Sequence, residues 1–225
     1  MNTLVLLLVL AIFLPIAVSG IIWLCTDHTI DKITHPEEWT DTGKSGERVL
    51  YTTLVHDFGI PEKQILRNVY IPTKKSETSE IDVLVLSKKG IFVFECKNYG
   101  GHIYGDARRR KWIQYLGNNK SYFYNPLMQN RNHVKHLKEY LGIDVPIVPL
   151  VTTITRGKWN IFNCDDKDLI LGFNCHLKDI YNGMPESELM KSNFGTILHK
   201  LKPLSRPNKE VAEKHVTRIK DHHYS

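Results

Sequence analysis

The hydrophobic pattern of the chain predicts helices and strands in mixed order. A helix is predicted over 44–58, because apolar residues recur there every four positions and so share one face. A second is predicted from Asn125-Pro126 to residue 141, since asparagine is a favourable N-cap and proline suits the first turn. A third is predicted over 185–202. The last 18 residues are expected to form a short exposed helix.

Short apolar runs between these helices predict β-strands. Two runs, at 81–86 and 91–96, are among the most apolar stretches after residue 43, and the four residues between them are typical of a hairpin loop. Strands mixed with flanking helices indicate an α/β sandwich. The other predicted strands cover 65–71, 102–104, 111–116, 121–124, 146–153 and 169–173.

The first 25 residues are different in character. Residues 2–25 carry no charged side chain and are long enough to cross a hydrocarbon core about 30 Å thick. A cleaved signal peptide is the alternative, since small residues at 17–19 would suit a peptidase. No Lys or Arg precedes the apolar run, and apolar residues continue past residue 19. Both facts favour one uncleaved transmembrane helix.

The charges that follow this span predict its orientation. Lys32 and Lys44 come after it and no Lys or Arg comes before it, so the positive-inside rule places the C-terminal domain in the cytoplasm of a single-pass membrane protein. We divide the chain into an anchor (1–25), a linker (26–42), a core (43–145), a C-terminal extension of the α/β domain (146–204) and a basic, polar tail (205–225).

Composition narrows the class of protein. The four cysteines are too few for a disulfide framework, which favours a reducing compartment. Cys164 and Cys175 are the only plausible pair, and because they lack the close spacing of a zinc site we expect them in the core. The formal net charge of +6 is compatible with a polyanionic partner or with a basic, solvated surface.

Three charged residues interrupt the two apolar runs of the predicted hairpin. Glu95 and Lys97 lie two positions apart and so share one face of a strand, and the hairpin brings Asp82 close to them. Burying such charges is costly unless they are paired or bind a metal. Two carboxylates suit Mg²⁺ or Mn²⁺, which activates water and polarises a phosphoryl oxygen, and a lysine stabilises the phosphate charge. An ordinary ion pair at a strand end is the alternative.

These residues belong to a longer pattern. Over residues 43–141 the chain resembles the nuclease-related domain (NERD) family, grouped with the PD-(D/E)xK, restriction-endonuclease-like nucleases, with order and spacing intact. The matching residues are Gly46-Glu47, Asn68-Val69, Glu80-Ile81-Asp82, Gly90-Ile91-Phe92-Val93, Glu95-Cys96-Lys97-Asn98-Tyr99, Gly101, Trp112 and Asn125-Pro126-Leu127-Met128-Gln129.

The resemblance implies a restriction-endonuclease-like mixed sheet flanked by helices. It implies an active site of Asp82, Glu95 and Lys97, with Asp82, Glu95 and the carbonyl of Cys96 on the metal. Glu47 and Gln129 match further polar positions of the family, and Glu47 would arrive from the first helix. Val83 stands where a histidine is often expected, which leaves the substrate preference open.

Basic and polar residues near this pattern are candidates for substrate contacts. Arg108, Arg109, Arg110 and Lys111 would contact phosphates, with Trp112 or Tyr115 as a stacking surface; a solvated, charge-guarded hairpin edge is the alternative. Gln129 is a candidate to orient water or hold Glu95, unless it is a surface glutamine. We expect His133 and His136 at the surface.

The sequence therefore predicts a membrane-anchored, divalent-metal-dependent nuclease that hydrolyses phosphodiester bonds, with DNA as its partner. One alternative is a catalytically silent nucleic-acid-binding or scaffold module at the membrane. Another is a membrane-bound module that recruits protein partners and does not act on nucleic acid.

Overall fold

The computed structural model describes residues 42–74, 77–153, 156–164, 169–171 and 175–205. The predicted anchor at 1–25 lies outside these ranges, as do residues 26–41 and the predicted tail helix beyond residue 205. Within the described ranges, no helix is both long enough and apolar enough to cross a bilayer. The fold below belongs to the unit that spans Gly46–Ser225.

Helices and strands follow one another along the described chain in the mixed order that the sequence predicts. Two short 3₁₀ turns, Glu62–Gln64 and Lys202–Leu204, complete the set. The elements are α1 (Thr42–His56), β1 (Ile65–Pro72), β2 (Thr78–Ser87), β3 (Gly90–Lys97), β4 (Gly100–Asp106), β5 (Lys111–Leu116), β6 (Asn119–Tyr124), α2 (Pro126–Leu141), β7 (Ile147–Thr153), β8 (Arg156–Phe162), β9 (Leu169–Leu171), α3 (Cys175–Gly183) and α4 (Glu188–Leu201).

Five of the strands form the first sheet, in the order β1-β2-β3-β7-β9. The β1–β2 and β2–β3 pairs are antiparallel, whereas β3–β7 and β7–β9 are parallel. The predicted hairpin is therefore present, although Ser87 pairs with Gly90 and the connection is shorter than predicted. This hairpin carries the candidate site.

A second sheet has the strand order β6-β5-β4-β8. Only Asn98 and Tyr99 separate β3 from β4. Strands β4 and β8 pair in parallel, as β3 and β7 do in the first sheet. Along the chain, β3 of the first sheet is thus followed by β4 of the second, and β7 of the first sheet is followed by β8 of the second.

Three clusters of buried side chains hold these layers together. One face of the first sheet packs against α2 and α4, through residues such as Val93, Leu137 and Ile197. Its other face packs against α1 and α3, through residues such as Phe94 and Leu50. A third cluster lies under the second sheet and includes Ile103, Trp112 and Leu127. The expected mixed α/β architecture is confirmed, as two mixed sheets flanked by helices.

The start of α2 follows the predicted capping pattern. The side-chain oxygen of Asn125 accepts from the backbone N–H of Leu127 at 2.9 Å, and Pro126 is the first helical residue. Asn125 Nδ2 also donates to the carbonyls of Ala107 and Arg109, so the cap ties the helix to the β4–β5 loop. Gly142 ends the helix with a left-handed backbone (φ +66°).

Two elements were not predicted, β8 and α3. In β8, Trp159 and Ile161 pack inward, but the apolar run is short and Gly157 weakens the strand pattern. Its partner β4 is more than fifty residues earlier in the chain, so the pairing has no local signal.

Candidate active site

Asp82 and Glu95 lie across from each other at one end of the β2–β3 hairpin. Val83 pairs with Phe94, and Asp82 and Glu95 are the next residues on the two strands. The backbone N–H of Cys96 donates to Asp82 Oδ2 at 2.7 Å, which fixes the aspartate against β3. The hairpin therefore brings together the carboxylates that the sequence predicts as a pair.

Near Asp82, the regular alternation of side chains between the two faces of the sheet is interrupted in both β1 and β2. In β1, Leu66 and Val69 pack into the same cluster, and in β2 the same is true of Ile81 and Leu84. A regular strand would send residues three apart to opposite faces. The irregularity in β1 is Asn68, whose backbone is left-handed (φ +49°).

Asn68 joins the site to α1. Arg67 pairs with Val83 and Val69 pairs with Ile81, so Asn68 lies opposite Asp82. Its Nδ2 donates to Glu47 Oε2 at 3.1 Å. Glu47 is thereby held at the site from α1, as the sequence predicts, and its charge acts on Asp82. Sequence reasoning gave Asn68 no role, because neither its backbone conformation nor its partner has a local signal.

Glu95 is the most deeply buried charge of the site, with 1% of its surface exposed. Lys97 Nζ lies 2.6 Å from Glu95 Oε1, and His133 Nε2 lies 3.1 Å from Glu95 Oε2. On the other side of the imidazole, Ser79 Oγ lies 2.7 Å from His133 Nδ1. Both carboxylate oxygens thus have a partner, and the imidazole is fixed between a hydroxyl and a carboxylate.

The electrostatics of Glu95 and Lys97 stabilise both as ions. Burial alone would raise the pKa of Glu95, but the positive charge of Lys97 and the hydrogen bond from His133 hold it below its ordinary value. Burial alone would lower the pKa of Lys97, but the charges of Glu95 and Asp82 raise it above its ordinary value. A carboxylate and an ammonium therefore persist side by side at neutral pH.

At Asp82, by contrast, the effects that raise the pKa outweigh those that lower it. Burial and the negative charges of Glu95 and Glu47 raise its pKa well above the ordinary value, although Lys97 and the N–H of Cys96 oppose this. The negative charges of Glu95 and Glu47 thus disfavour the ionised form of Asp82.

A divalent cation would relieve this repulsion between carboxylates. Magnesium is usually held by one or two carboxylates, with water and substrate phosphates as its other ligands. Asp82 and Glu95 would supply the carboxylates, and the carbonyl of Cys96 would supply a third oxygen. In the described part of the chain, no group of three or more His, Cys, Asp or Glu side chains is arranged to hold a metal. Backbone, water and phosphate oxygens would therefore have to complete the set.

The thiol of Cys96 has no evident chemical role here. Burial, with the charge of Asp82, raises its pKa far above the ordinary value, and Sγ lies 3.3 Å from Thr152 Oγ1. A protonated, buried thiol is a poor nucleophile. Cys96 contributes its backbone, whose N–H binds Asp82.

The predicted surface position of His133 is wrong. His133 is buried, with 8% of its surface exposed, because it contacts both Ser79 and Glu95. A signal was present, since Asn130, His133, Leu137 and Leu141 recur along the buried face of α2. His136, also expected at the surface, is partly buried.

Two other polar residues of α2 lie near this contact. Gln129 is one turn before His133 and is partly buried, and the residue that holds Glu95 is His133. Asn130 was missed by sequence reasoning. Its Nδ2 donates to the carbonyls of Val93 and Leu150, both at 2.9 Å, and so links α2 to β3 and β7.

The predicted basic run lies at the turn between β4 and β5. Arg108, Arg109, Arg110 and Lys111 are all exposed. Trp112 is completely buried, and its Nε1 donates to the carbonyl of Asp106 at 2.9 Å. Its ring is therefore not available to stack on a base, because alternation along β5 turns it into the third cluster. Tyr115, the other stacking candidate, is 37% exposed.

Comparison with known proteins assigns the family. The family model described as nuclease-related domain matches residues 42–154. The chain belongs to the NERD family. It is 26% identical, over 182 residues, to an uncharacterized protein of Bacillus anthracis; the match covers 81% of this chain and 84% of that protein. No solved structure gave a significant match.

The NERD match covers the whole candidate site. It begins at the first residue of α1, which carries Glu47, and ends just after β7. Asp82, Glu95, Lys97 and His133 all lie inside it. Strands β8 and β9 and helices α3 and α4 lie beyond the NERD match, although β8 completes the second sheet.

Proposed function

We propose that this NERD protein is a divalent-metal-dependent nuclease that hydrolyses phosphodiester bonds of DNA. The observation that carries the proposal is the meeting of Asp82, Glu95 and Lys97 at one end of the β2–β3 hairpin, with Lys97 Nζ 2.6 Å from Glu95. Family membership supports a nuclease-related function and contact with nucleic acid. The restriction-endonuclease-like arrangement of the sheet and its helices is part of the same proposal.

Each residue has a distinct role in this proposal. Asp82, Glu95 and the Cys96 carbonyl would hold Mg²⁺ or Mn²⁺, which when bound supplies Lewis acidity and lowers the pKa of water. Lys97 stays protonated beside them and stabilises negative charge on the phosphate.

The remaining residues position this set. Glu47, held by Asn68, accepts a hydrogen bond from attacking water, and Gln129 lies one helical turn from His133, where it can orient that water. His133 fixes Glu95 so that the carboxylate keeps its direction.

The N-terminal segment adds the membrane to the proposal. We propose that residues 1–25 anchor the protein by a single transmembrane helix, with the nuclease domain in the cytoplasm, because the segment is uncharged and the lysines follow it. Separation of membrane and soluble fractions tests the anchor. A protein found in the soluble fraction would refute it.

A cleavage assay tests the enzymatic proposal directly. The full-length chain in mild detergent is incubated with plasmid DNA and Mg²⁺ or Mn²⁺, with EDTA as the metal-free control. Lys97→Ala should reduce cleavage by about 100-fold or more, the scale for loss of a group that stabilises transition-state charge. Lys88→Ala is the matched control, because Lys88 is an exposed lysine of the same hairpin. Equal cleavage by all three proteins would mean a contaminating nuclease and overturn the proposal.

One observation favours a second candidate, a catalytically silent DNA-binding module. Both oxygens of Glu95 already have partners in Lys97 and His133, and this arrangement could persist as a purely structural ion pair. Such a module would bind DNA equally well with and without metal and release no product. Calorimetric titration with Mn²⁺ separates the two, since a silent module would show no heat that depends on Asp82.

A further inference from the structure

The second sheet has one buried face and one exposed face. Ile103 and Trp112 are fully buried on the inner side. Because side chains alternate along a strand, their neighbours Tyr104 and Ile113 point outward. The register extends this outer face across all four strands, since Ile113 pairs with Tyr122, Tyr115 with Lys120, and His102 with Lys158. We call it the aromatic face and define it by His102, Tyr104, Tyr115, Lys120, Tyr122 and Lys158.

Large aromatic rings on this face remain in contact with water. Tyr104 is 41% exposed, Tyr122 is 59% exposed, and Phe162, at the end of β8, is 61% exposed. Such rings are scattered singly on most protein surfaces, whereas here they share one sheet face. Contiguous exposed apolar surface of this kind marks interaction sites.

The rings are neighbours rather than isolated residues. The centroids of Tyr104 and Tyr115 lie 5.9 Å apart. Lys120 Nζ lies 5.7 Å from the centroid of Tyr115 and 5.2 Å from that of Tyr122. An open depression of about 520 Å³ lies over His102, Tyr104, Ile113 and Tyr115. Rings and a cation therefore alternate across three adjacent strands, beside a concavity large enough for a base.

The charged residues of this sheet are mostly basic. Its four strands contain a single acidic residue, Asp106, which is held by Arg108 and Asn163. The same strands contain four Lys or Arg residues, and the β4–β5 turn adds Arg108, Arg109 and Arg110. The complementary partner of such a surface is a polyanion. The basic residues in these strands are Lys111, Lys120, Arg156 and Lys158.

We propose that the aromatic face binds single-stranded DNA, with bases stacked on the tyrosine rings and phosphates beside the lysines. The choice of DNA as the polyanion rests on the proposed nuclease function. Alternation of exposed rings with basic side chains is the usual way in which proteins bind single strands without reading sequence. A duplex cannot use such rings, because its bases are stacked on one another and expose only their edges.

The aromatic face is close along the chain to the candidate active site. Lys97 ends β3 and Gly100 begins β4, so the backbone covers that interval within about 10 Å. A single strand held on the second sheet would thus lie near the carboxylates of the hairpin. The inference narrows the proposed substrate to DNA with a single-stranded region, such as a flap, an end or a melted segment.

Fluorescence anisotropy of labelled oligonucleotides tests the binding in EDTA, where no metal-dependent cleavage occurs. The full-length chain in detergent is titrated with a thymidine oligonucleotide of about 20 nucleotides, a length that spans more than one typical single-strand site, and with a duplex of the same length. We expect the single strand to bind at least about 10-fold more tightly. Equal affinity for both probes would overturn the proposal.

Three variants at one position separate stacking from simple apolar contact. Tyr122→Phe keeps a flat ring and should bind like the wild type. Tyr122→Leu keeps apolar surface without a ring, and Tyr122→Ala removes both; each should weaken binding by about 5-fold or more, the lower end of the effect of losing one stacked base. Binding by Tyr122→Leu at the wild-type level would contradict stacking.

A change of charge provides an independent test. Lys120→Gln should lower the slope of log affinity against log salt by about 0.7 for a single strand, as expected for one lost phosphate contact. An unchanged slope would place the phosphates elsewhere. No oligonucleotide binding, together with self-association that Tyr122→Ala abolishes, would identify the face as a protein interface and overturn the proposal.

The single-strand binding proposal and the nuclease proposal can be refuted independently of each other. Asp82→Asn should lose cleavage and keep single-strand affinity. Binding that depends on Tyr122 in a protein that never cleaves DNA would refute the nuclease proposal and support this inference. Cleavage by a protein whose Tyr122 variants bind as the wild type does would refute this inference alone.

Discussion

His133 Nε2 lies 3.1 Å from Glu95 Oε2, so the most deeply buried carboxylate of the site is oriented by an imidazole from a different element. Ser79 Oγ, 2.7 Å from His133 Nδ1, fixes the other ring nitrogen. The hydrogen bonds are satisfied when Nε2 carries the proton and Ser79 donates to Nδ1. His133 therefore acts on Glu95 as a positioning residue.

Loss of this imidazole should weaken both the fold and the site. His133→Ala removes a donor from a buried carboxylate and a partner from Ser79, which costs about 1–3 kcal/mol for an unsatisfied buried polar group. Metal affinity or cleavage should fall by about 10-fold or more, the usual effect of removing a residue that orients a ligand. Urea unfolding and Mn²⁺ titration measure the two effects.

Two variants sharpen this test. His133→Gln retains a side-chain N–H toward Glu95 and should recover part of the metal affinity. His199→Ala, at an exposed position of α4, should leave both properties unchanged. Wild-type metal affinity in His133→Ala would show that the histidine is only a packing residue.

The charge balance at Asp82 predicts a stabilising substitution. The folded-state pKa of Asp82 is raised, so the folded protein binds a proton there more readily than the unfolded chain does. Stability contributed by this group is therefore lost as pH rises through the unfolded value of about 3.9 toward the folded value. Asp82→Asn keeps an oxygen for the Cys96 N–H and removes the repulsion. Without metal at pH 7, it should raise the free energy of unfolding by on the order of 1 kcal/mol.

The control is how the higher free energy of unfolding of Asp82→Asn depends on pH. At a pH below the unfolded value, both states of the wild type carry a neutral Asp82, and the difference between wild type and Asp82→Asn should vanish. Urea denaturation at several pH values measures it. A substitution that destabilises the metal-free protein at pH 7 would contradict the repulsion at Asp82.

The same raised pKa predicts that metal binding releases a proton. A metal ion needs the ionised carboxylate, so protons compete with it at Asp82. Mn²⁺ affinity should rise with pH until Asp82 is ionised in the metal-free protein, and then level off. Calorimetry in two buffers of different ionisation enthalpy counts the released protons. Affinity that is independent of pH, with no proton release, would show that Asp82 is not a ligand.

The parts of the site that sequence reasoning found are those fixed by local pattern. Alternation along a strand put Glu95 and Lys97 on one face, and a hairpin put Asp82 beside them. Ser79 was missed and Asn68 was given no role, because the partner of each lies on a helix that packs against the sheet. Their contacts depend on how the helices pack on the sheet, and no spacing within β1 or β2 encodes that packing.

The buried position of Trp112 also has no signal in the local sequence. It follows four charged residues in the sequence, which is typical of an exposed edge. The side chain nevertheless alternates inward against Gly105, where any Cβ would lie within 2.3 Å of the indole ring. The absence of a side chain at Gly105 makes room for Trp112, and that complementarity across two strands has no signal in the local pattern.

Asn68 provides the last prediction, because its backbone and its side chain can be tested separately. Glycine adopts positive φ freely, so Asn68→Gly should keep the left-handed backbone and remove only the bond to Glu47. Alanine there should cost about 1 kcal/mol more in unfolding free energy than glycine, because its Cβ disfavours this conformation. Both variants should reduce cleavage by about 10-fold, if Glu47 must be held toward Asp82. Urea unfolding and the plasmid assay separate the two effects, and a fully active Asn68→Gly would mean that the bond between Asn68 and Glu47 has no part in the reaction.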